Sequence, residues 1–321
     1  MSFRWFIYYC SLLGGCAAYV GWAVGRAPSV QNDVWLAALK ALFLGLLLAS
    51  VLTAVDILWN LAGQKPITVV LRLLVAGFVG SVGGFVGGMV GQILYARTNL
   101  AVFLLVGWTF TGLLIGIAPG LFDLFARLLA NQDARGATRK VINGVLGGSI
   151  GGLAGGLLFL LMRGGWGAAL GERADTLWSP SATGFVALGL CIGLFVGLAQ
   201  VILKEAWVRV VEGFRAGREL ILTSPNITIG RAEGCEIALF GDNGVEKRHA
   251  TIQLEGGRYF VEDLETPGGT FLNGTRLRDR TALRAGDEIR VGRSVLQFGE
   301  RAKHAEEIYP RMTRITRMKT E

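Results

Sequence analysis

"ITVVLRLLVAGFVGSVGGFVGGMVGQILY", residues 67–95, carries a single charged side chain, Arg72. One membrane span needs ~20 apolar residues, so a run of this length and texture is read as a transmembrane helix. Glycines at 80, 84 and 88, and again at 83, 87 and 91, recur at every fourth position. Each set therefore lies along one helix face. Such faces let helix backbones approach closely, where van der Waals packing is the main attraction available in lipid. The same spacing recurs at 144, 148, 152 and 156.

Comparable apolar runs occupy 5–25, 34–60, 99–118, 140–162 and 182–203. Residues 1–203 thus read as a transmembrane domain of six helices. Composition agrees: 52% of the 321 residues are hydrophobic, 47 are glycine, and the mean hydropathy is +0.48. An ordinary soluble enzyme does not have this texture.

The formal charge of +8 is unevenly placed. Residues 1–218 hold 16 basic and 8 acidic side chains, 219–299 hold 10 and 12, and 300–321 hold 6 and 4. The excess belongs to the hydrophobic part, where it reports orientation rather than nucleic-acid binding. With the N-terminus inside, the inner set holds Arg4, Lys65, Arg72, Arg127, Arg135, Arg139, Lys140, Lys204, Arg209, Arg215 and Arg218, against Arg26, Arg97, Arg163 and Arg173 outside. The expected topology is multi-pass in a bacterial inner membrane, both termini cytoplasmic, with the lipid bilayer as a partner. "LGGC" ending at Cys16 has the outline of a lipobox, but the apolar run continues through "AAYVGWAV", which favours an uncleaved helix.

"GLLLASVLTAVD" (45–56), "GLLIGIAPGLFD" (112–123) and "GLCIGLFVGLAQ" (189–200) each begin Gly-Leu and end in a polar residue eleven positions after that glycine. Gly-Gly pairs precede them at 14–15, 83–84 and 151–152. The unit reads as a glycine-rich helical hairpin present three times. Its glycine faces suit packing inside one chain or between copies in a homo-oligomer. Asp56, Asp123 and Gln200 share one place in the repeats, near cytoplasmic helix ends where water is expected to reach them. Lys40 and Gln92 are the other polar intrusions, without counterparts in the other repeats.

Residues 204–218, with Trp207, Val210, Val211 and Phe214 at helical spacing, read as an amphipathic connecting helix. From Glu219 the texture changes to short β-type segments separated by Gly, Asn, Asp and Pro turns, so 219–300 is expected to form an all-β sandwich. Residues 301–321 form a charged tail carrying Thr313, Thr316 and Thr320.

"IGRAEGCEIALFGDNGVEKRHATI", "RYFVEDLETPGGTFLNG" and "LRAGDEIRVGRSVLQF" resemble, in order and spacing, successive blocks of a forkhead-associated (FHA) domain. The resemblance covers about a quarter of the chain and implies a β-sandwich whose loops at one end bind phosphothreonine peptides. Its pattern is Gly-Arg, Ser-x-x-His, Ser-x-Asn-Gly-Thr, Asn-Gly. Gly230 and Arg231 match the first block, and the resemblance makes Arg231 the phosphate contact, as a guanidinium fork suits phosphate oxygens. His249 matches the histidine that braces the loop. Gly269, Thr270, Asn273 and Gly274 match the later turns. Glu246 stands in place of the phosphate-binding serine, Gly268 in place of the peptide-holding asparagine, and Thr266 in place of the other serine.

The candidate peptide-binding set is therefore Arg231, Glu246, Lys247, Arg248, Thr266, Gly268, Thr270 and Asn273, with Gly230, His249, Gly269 and Gly274 as structural loop residues. An ionised carboxylate cannot donate a hydrogen bond and repels phosphate, so the phosphothreonine pocket is expected to be degenerate, with Glu246 reaching Arg231 from within. Lys247 and Arg248 are solvated charges, or an added anion patch.

No nucleophile–base pair, P-loop or metal spacing occurs, and Cys10, Cys16, Cys191 and Cys235 form no CxxC pair. Neither enzymatic activity, cofactor, metal nor nucleic acid is expected. The reading is a membrane-anchored FHA protein that mediates cytoplasmic protein–protein interaction in signalling or assembly, with a partner whose threonine phosphorylation is left open. Two alternatives stay beside it: a working phosphothreonine reader in a Ser/Thr kinase pathway, and a small transporter or channel regulated by its FHA domain.

Overall fold

The computed structural model of the chain describes residues 3–26, 31–60, 66–170, 179–213, 215–222 and 224–301. The tail threonines at 313, 316 and 320 and the aromatic Phe214 lie outside these residues.

Six helices come first: α1 (Phe3–Val24), α2 (Asp33–Asn60), α3 (Pro66–Thr98), α4 (Val102–Leu129), α5 (Arg135–Leu170) and α6 (Pro180–Ile202). All six are long and apolar enough to cross a membrane, judged by length and composition. Each packs on its neighbours in sequence, and α6 packs back on α1, so the helices close into a ring.

Glycine sets the spacing of that ring. A β-carbon on Gly80 or Gly84 would overlap the carbonyls of Gly45 or Ala41 on α2, while one on Gly87 would overlap the Thr111 side chain on α4. The two fourfold glycine sets of α3 thus face its two different neighbours. Gly144 and Gly148 stand in the same relation to the carbonyls of Gly116 and Gly112 on α4, and Gly151 and Gly155 lie against Ile192 and Leu188 on α6. These glycine faces are used within the chain.

Polar residues at the helix ends that meet the C-terminal domain correct one expectation. Asp56 is buried, and Asp123 keeps only 18% of its side chain exposed. The Lys140 Nζ lies 2.5 Å from Asp56 Oδ2 and 3.5 Å from Asp123 Oδ2, and Arg72 pairs with the other oxygen of Asp123. Asp56 is 4% and Lys140 6% exposed. The reason is geometric: carboxylates near the ends of α2 and α4 meet cations in the second turns of α3 and α5. Two charges of each sign offset one another where a lone buried charge would be prohibitive. The Gln200 amide adds a hydrogen bond to the Lys140 carbonyl oxygen at 3.1 Å.

Eleven strands follow: β1 (Ala206–Glu212), β2 (Glu219–Ile221), β3 (Asn226–Gly230), β4 (Ile237–Ala238), β5 (Ala250–Glu255), β6 (Arg258–Asp263), β7 (Thr270–Leu272), β8 (Thr275–Arg276), β9 (Thr281–Ala282), β10 (Glu288–Val291) and β11 (Ser294–Glu300). They form two sheets, ordered β2-β1-β11-β10-β7-β8 and β4-β3-β5-β6-β9. Val208, Leu296 and Phe298 of one sheet share a core with Ile229, Ile252 and Val261 of the other, and the Tyr259 and Phe298 rings lie 5.4 Å apart.

The connecting helix expected at 204–218 is absent. Residues 206–212 form β1, paired to β11 from Ala206↔Glu300 and to β2 from Trp207↔Ile221. Ala206, Val208 and Val210 are buried, an alternation of period two. Trp207, Val210 and Val211 satisfy helical spacing on paper, but β-branched residues beside two open strand edges gain a whole ladder by extending. The sandwich accordingly begins at Ala206, not at 219.

Only residues 203–205 separate α6 from β1, so the sandwich docks directly on the helix ends. The Phe3 N–H donates to the Glu219 carboxylate at 2.9 Å, Arg218 donates to the Trp59 carbonyl oxygen at 2.7 Å, and Arg127 donates to Ser224 Oγ at 2.7 Å. Lys204 Nζ lies 3.6 Å over the Phe3 ring, and Arg139 pairs with Glu205. Burial against this junction lowers the Lys204 ammonium from its ordinary value.

Candidate functional site

The loops at one end of the sandwich are organised by strand β3. At its last residue a β-carbon would overlap the Lys247 carbonyl oxygen, so only glycine fits at Gly230. That close approach brings the backbones of 231–232 and 246–247 together. The Arg231 N–H donates to the Glu246 carbonyl oxygen at 3.0 Å, and the Ala232 N–H to that of Lys247 at 3.1 Å.

His249 is fully buried and ties three loops together. Its Nδ1 accepts from the Glu246 N–H at 3.1 Å, which leaves the ring proton on Nε2. Nε2 faces Thr266 Oγ1 at 3.0 Å and the Gly269 carbonyl oxygen at 3.2 Å. This is the bracing part expected of it.

Asp263, which the sequence reading did not single out, is the hub of this arrangement. Its carboxylate accepts from the Thr266 N–H at 3.1 Å, the Thr266 hydroxyl at 3.0 Å and the Thr270 hydroxyl at 2.5 Å. Asp242 plays the matching part at the neighbouring turn, accepting from the N–H groups of Gly244 at 3.0 Å and Arg293 at 2.7 Å. The "GDNG" turn signals Asp242, because Asp two residues before glycine forms a local turn. No local pattern marks Asp263.

These bonds change the standing of three residues expected to touch peptide. Thr266 and Thr270 are buried and their hydroxyls are engaged by Asp263. Asn273 has φ +50° and Gly274 φ +81°, the pair of left-handed residues that a two-residue β7–β8 hairpin requires. The Asn273 amide is engaged too, donating to Asp287 at 2.9 Å and accepting from the Glu288 N–H at 2.9 Å. All three side chains hold the loops in shape, Thr266 and Thr270 from buried positions and Asn273 from an exposed one. Gly269, with φ +66°, turns the chain under Arg276.

What remains on the rim is Arg231, Glu246, Lys247, Arg248 and Gly268, all exposed. Arg231 Nη2 lies 3.9 Å from Glu246 Oε2, with the two side chains 45% and 48% exposed. At that exposure the pair is weak, ~0–1 kcal/mol, yet it sets a carboxylate against the guanidinium. Among the described residues Lys247 and Arg248 form no ion pair. Arg276, brought to the rim by the hairpin, adds a cation that the sequence reading missed; its Nη2 reaches the Pro267 carbonyl oxygen at 3.5 Å. A β-carbon on Gly268 would lie 3.1 Å from the Gly244 carbonyl oxygen, so this loop is already close to its neighbour.

Beneath the rim, burial pushes the Cys235 thiol up, and its S–H donates to the Lys247 carbonyl oxygen at 3.2 Å. Such a thiol is a packing group. No cluster of metal-ligating side chains occurs among the described residues.

Residues 227–292 match the family model described as "FHA domain". FhaB, an FHA domain-containing protein of Mycobacterium tuberculosis, is 26% identical over 123 residues, which are 38% of this chain and 79% of FhaB. The glycogen accumulation regulator GarA of Mycolicibacterium smegmatis is 34% identical over 130 residues, 39% of this chain and 77% of GarA. A solved structure described as "Structural and functional analysis of phosphothreonine-dependent FHA domain interactions" is 27% identical, with a TM-score of 0.29, and covers 31% of this chain and 100% of its own.

Proposed function

This chain belongs to the FHA-domain family, and on that premise we propose that it is a membrane-anchored protein whose FHA rim holds a cytoplasmic partner protein, with the phosphate position occupied by its own Glu246. Members of the family mediate phosphothreonine-dependent protein–protein interaction. The six apolar helices and the basic residues concentrated on one side support the anchoring and a cytoplasmic domain. The role is one of binding, without catalysis.

The observation that carries the reading is the 3.9 Å approach of Glu246 to Arg231. A phosphate at the same guanidinium would carry ~1.5–2 negative charges and stand beside this carboxylate. Like unit charges 4 Å apart repel by about 1 kcal/mol in water and about 4 kcal/mol at an effective dielectric of 20. Half-exposed groups fall between these limits. The repulsion is therefore comparable with the ~1.5–3 kcal/mol that a hydrogen bond to a charged group contributes.

Full-length protein in nanodiscs, titrated with a phosphothreonine peptide library and its unphosphorylated counterpart, tests this. The wild type is expected to bind the two sets alike. Glu246→Ser is expected to bind the phosphorylated set about tenfold tighter than the wild type, equivalent to about 1.4 kcal/mol. A wild-type preference of about tenfold for phosphothreonine would overturn the occupied pocket and install the phosphothreonine reader in its place.

A further inference from the structure

At the end of the helix ring remote from the sandwich lies a cavity of 360 Å³. Five helices line it: Lys40 of α2, Gln92 and Tyr95 of α3, Trp108 of α4, Phe159 of α5 and Phe185 of α6. A groove between two helices would draw on two; a lining from five places the space on the ring axis. Glycines 87, 91 and 107 also reach its wall, where a β-carbon on any of them would enter the α3–α4 contact. The volume lies within the lower range of small-molecule sites.

The cavity is blind. Towards the sandwich the ring is filled by Leu44, Leu48, Ile115, Leu188 and Ile192, all fully buried. Beyond that apolar layer stands the Asp56–Lys140–Asp123–Arg72 network. This arrangement suits a receptor pocket better than a conduit.

Its polar groups point to a class of ligand. Among the described residues, Lys40, Gln92, Tyr95 and Trp108 have no side-chain hydrogen-bond or ion-pair partner. Trp108 is 9% exposed and its indole N–H is buried without an acceptor. Leaving such a donor unpaired costs about 1–3 kcal/mol, so it calls for an explanation. An ammonium and an indole N–H only donate, and the amide and hydroxyl can donate as well. The Trp108, Phe159 and Phe185 rings form an adjoining apolar wall, with centroids 5.3–5.8 Å apart. Asp33, the one acidic residue of the lining, is exposed at the start of α2. It lies two helical turns from Lys40, about 10 Å along the axis, and still acts on its ammonium through charge–charge interaction, as does the Arg26 guanidinium.

We propose that this cavity binds a small organic carboxylate with an apolar body, its carboxylate on Lys40 and the Trp108 N–H and its body against the three aromatic rings. Access is from the face opposite the FHA domain; only this part rests on the membrane topology proposed above.

Full-length protein in nanodiscs is titrated calorimetrically with benzoate, phenylacetate and hexanoate. At least one is expected to bind saturably, weakened about tenfold by Lys40→Met and unaffected by Glu246→Ser. Gln92→Leu, at a half-buried position, is expected to weaken binding on its own, so a poorly folded Lys40 variant does not decide the matter. Saturable binding by none of the three up to about 10 mM, or undiminished binding by the folded variants, would overturn the site. In sealed, oriented vesicles binding is expected only from the face opposite the FHA domain. Binding from the FHA side would retain the site and overturn the topology.

Discussion

The rim of the sandwich is decided by single residues whose neighbours are far away in sequence. Gly230 exists because the Lys247 carbonyl passes where a β-carbon would be. Gly230→Ala is therefore expected to destabilise the sandwich by about 1–3 kcal/mol, the usual cost of overpacking, read as a lower urea midpoint. Asp263→Ala would leave the buried hydroxyls of Thr266 and Thr270 without their acceptor. At about 1–3 kcal/mol for each such group, its midpoint is expected to fall further than that of Gly230→Ala. An unchanged midpoint in either variant would show that the loops rearrange at no cost. The placing of Arg231, Glu246 and His249 was legible through the resemblance to the FHA blocks, and the Asn273–Gly274 turn from its residues as well, since φ > 0 restricts those that serve. The engagement of Thr266, Thr270 and Asn273 was not, because it depends on Asp263 and Asp287 arriving from other strands.

Among the elements, the helices were the more legible. Their apolar length and fourfold glycines report a requirement that acts along one helix, namely a bare face for a close neighbour. Gly116 and Gly144 meet so closely that a side chain on either would overlap the other's carbonyl oxygen. Gly116→Val is thus expected to lower the thermal midpoint of the helical domain in detergent by the equivalent of at least about 1–3 kcal/mol. Gly156→Ala, whose new methyl would come 3.1 Å from the end of the Leu105 side chain and 3.4–3.5 Å from Trp108, with no backbone in its way, should shift it by less than about 1 kcal/mol. Equal shifts would mean that glycine contact is not what spaces the ring. Strand β1 shows the opposite situation. "AWVRVVE" fits both a helical and an extended periodicity, and the choice is made by the open edges of β2 and β11.

For the whole molecule, the interior charge network and the docking of the sandwich on the helix ends follow from ring closure. Lys140→Met is expected to cost about 3–5 kcal/mol, because it strands Asp56 and crowds Asp123 with only Arg72 for a partner. Arg139→Met, next in sequence but half-exposed in its pair with Glu205, should cost no more than about 1 kcal/mol. Thermal unfolding of the two variants side by side separates these cases, and comparable losses would place Lys140 in contact with water. A transport role for the ring would have to open the apolar layer at Leu48, Ile115 and Leu188, which fills it in this structure. Hydropathy, glycine spacing and turn chemistry are local requirements, so the sequence by itself determined that six apolar helices precede a β-sandwich, and its resemblance to the FHA blocks marked which loops form the rim. Which charges are buried together, where the sandwich begins, and that Lys40, Gln92 and Trp108 share one cavity were decided only by the tertiary structure. Those facts concern distances between residues that no chain periodicity relates.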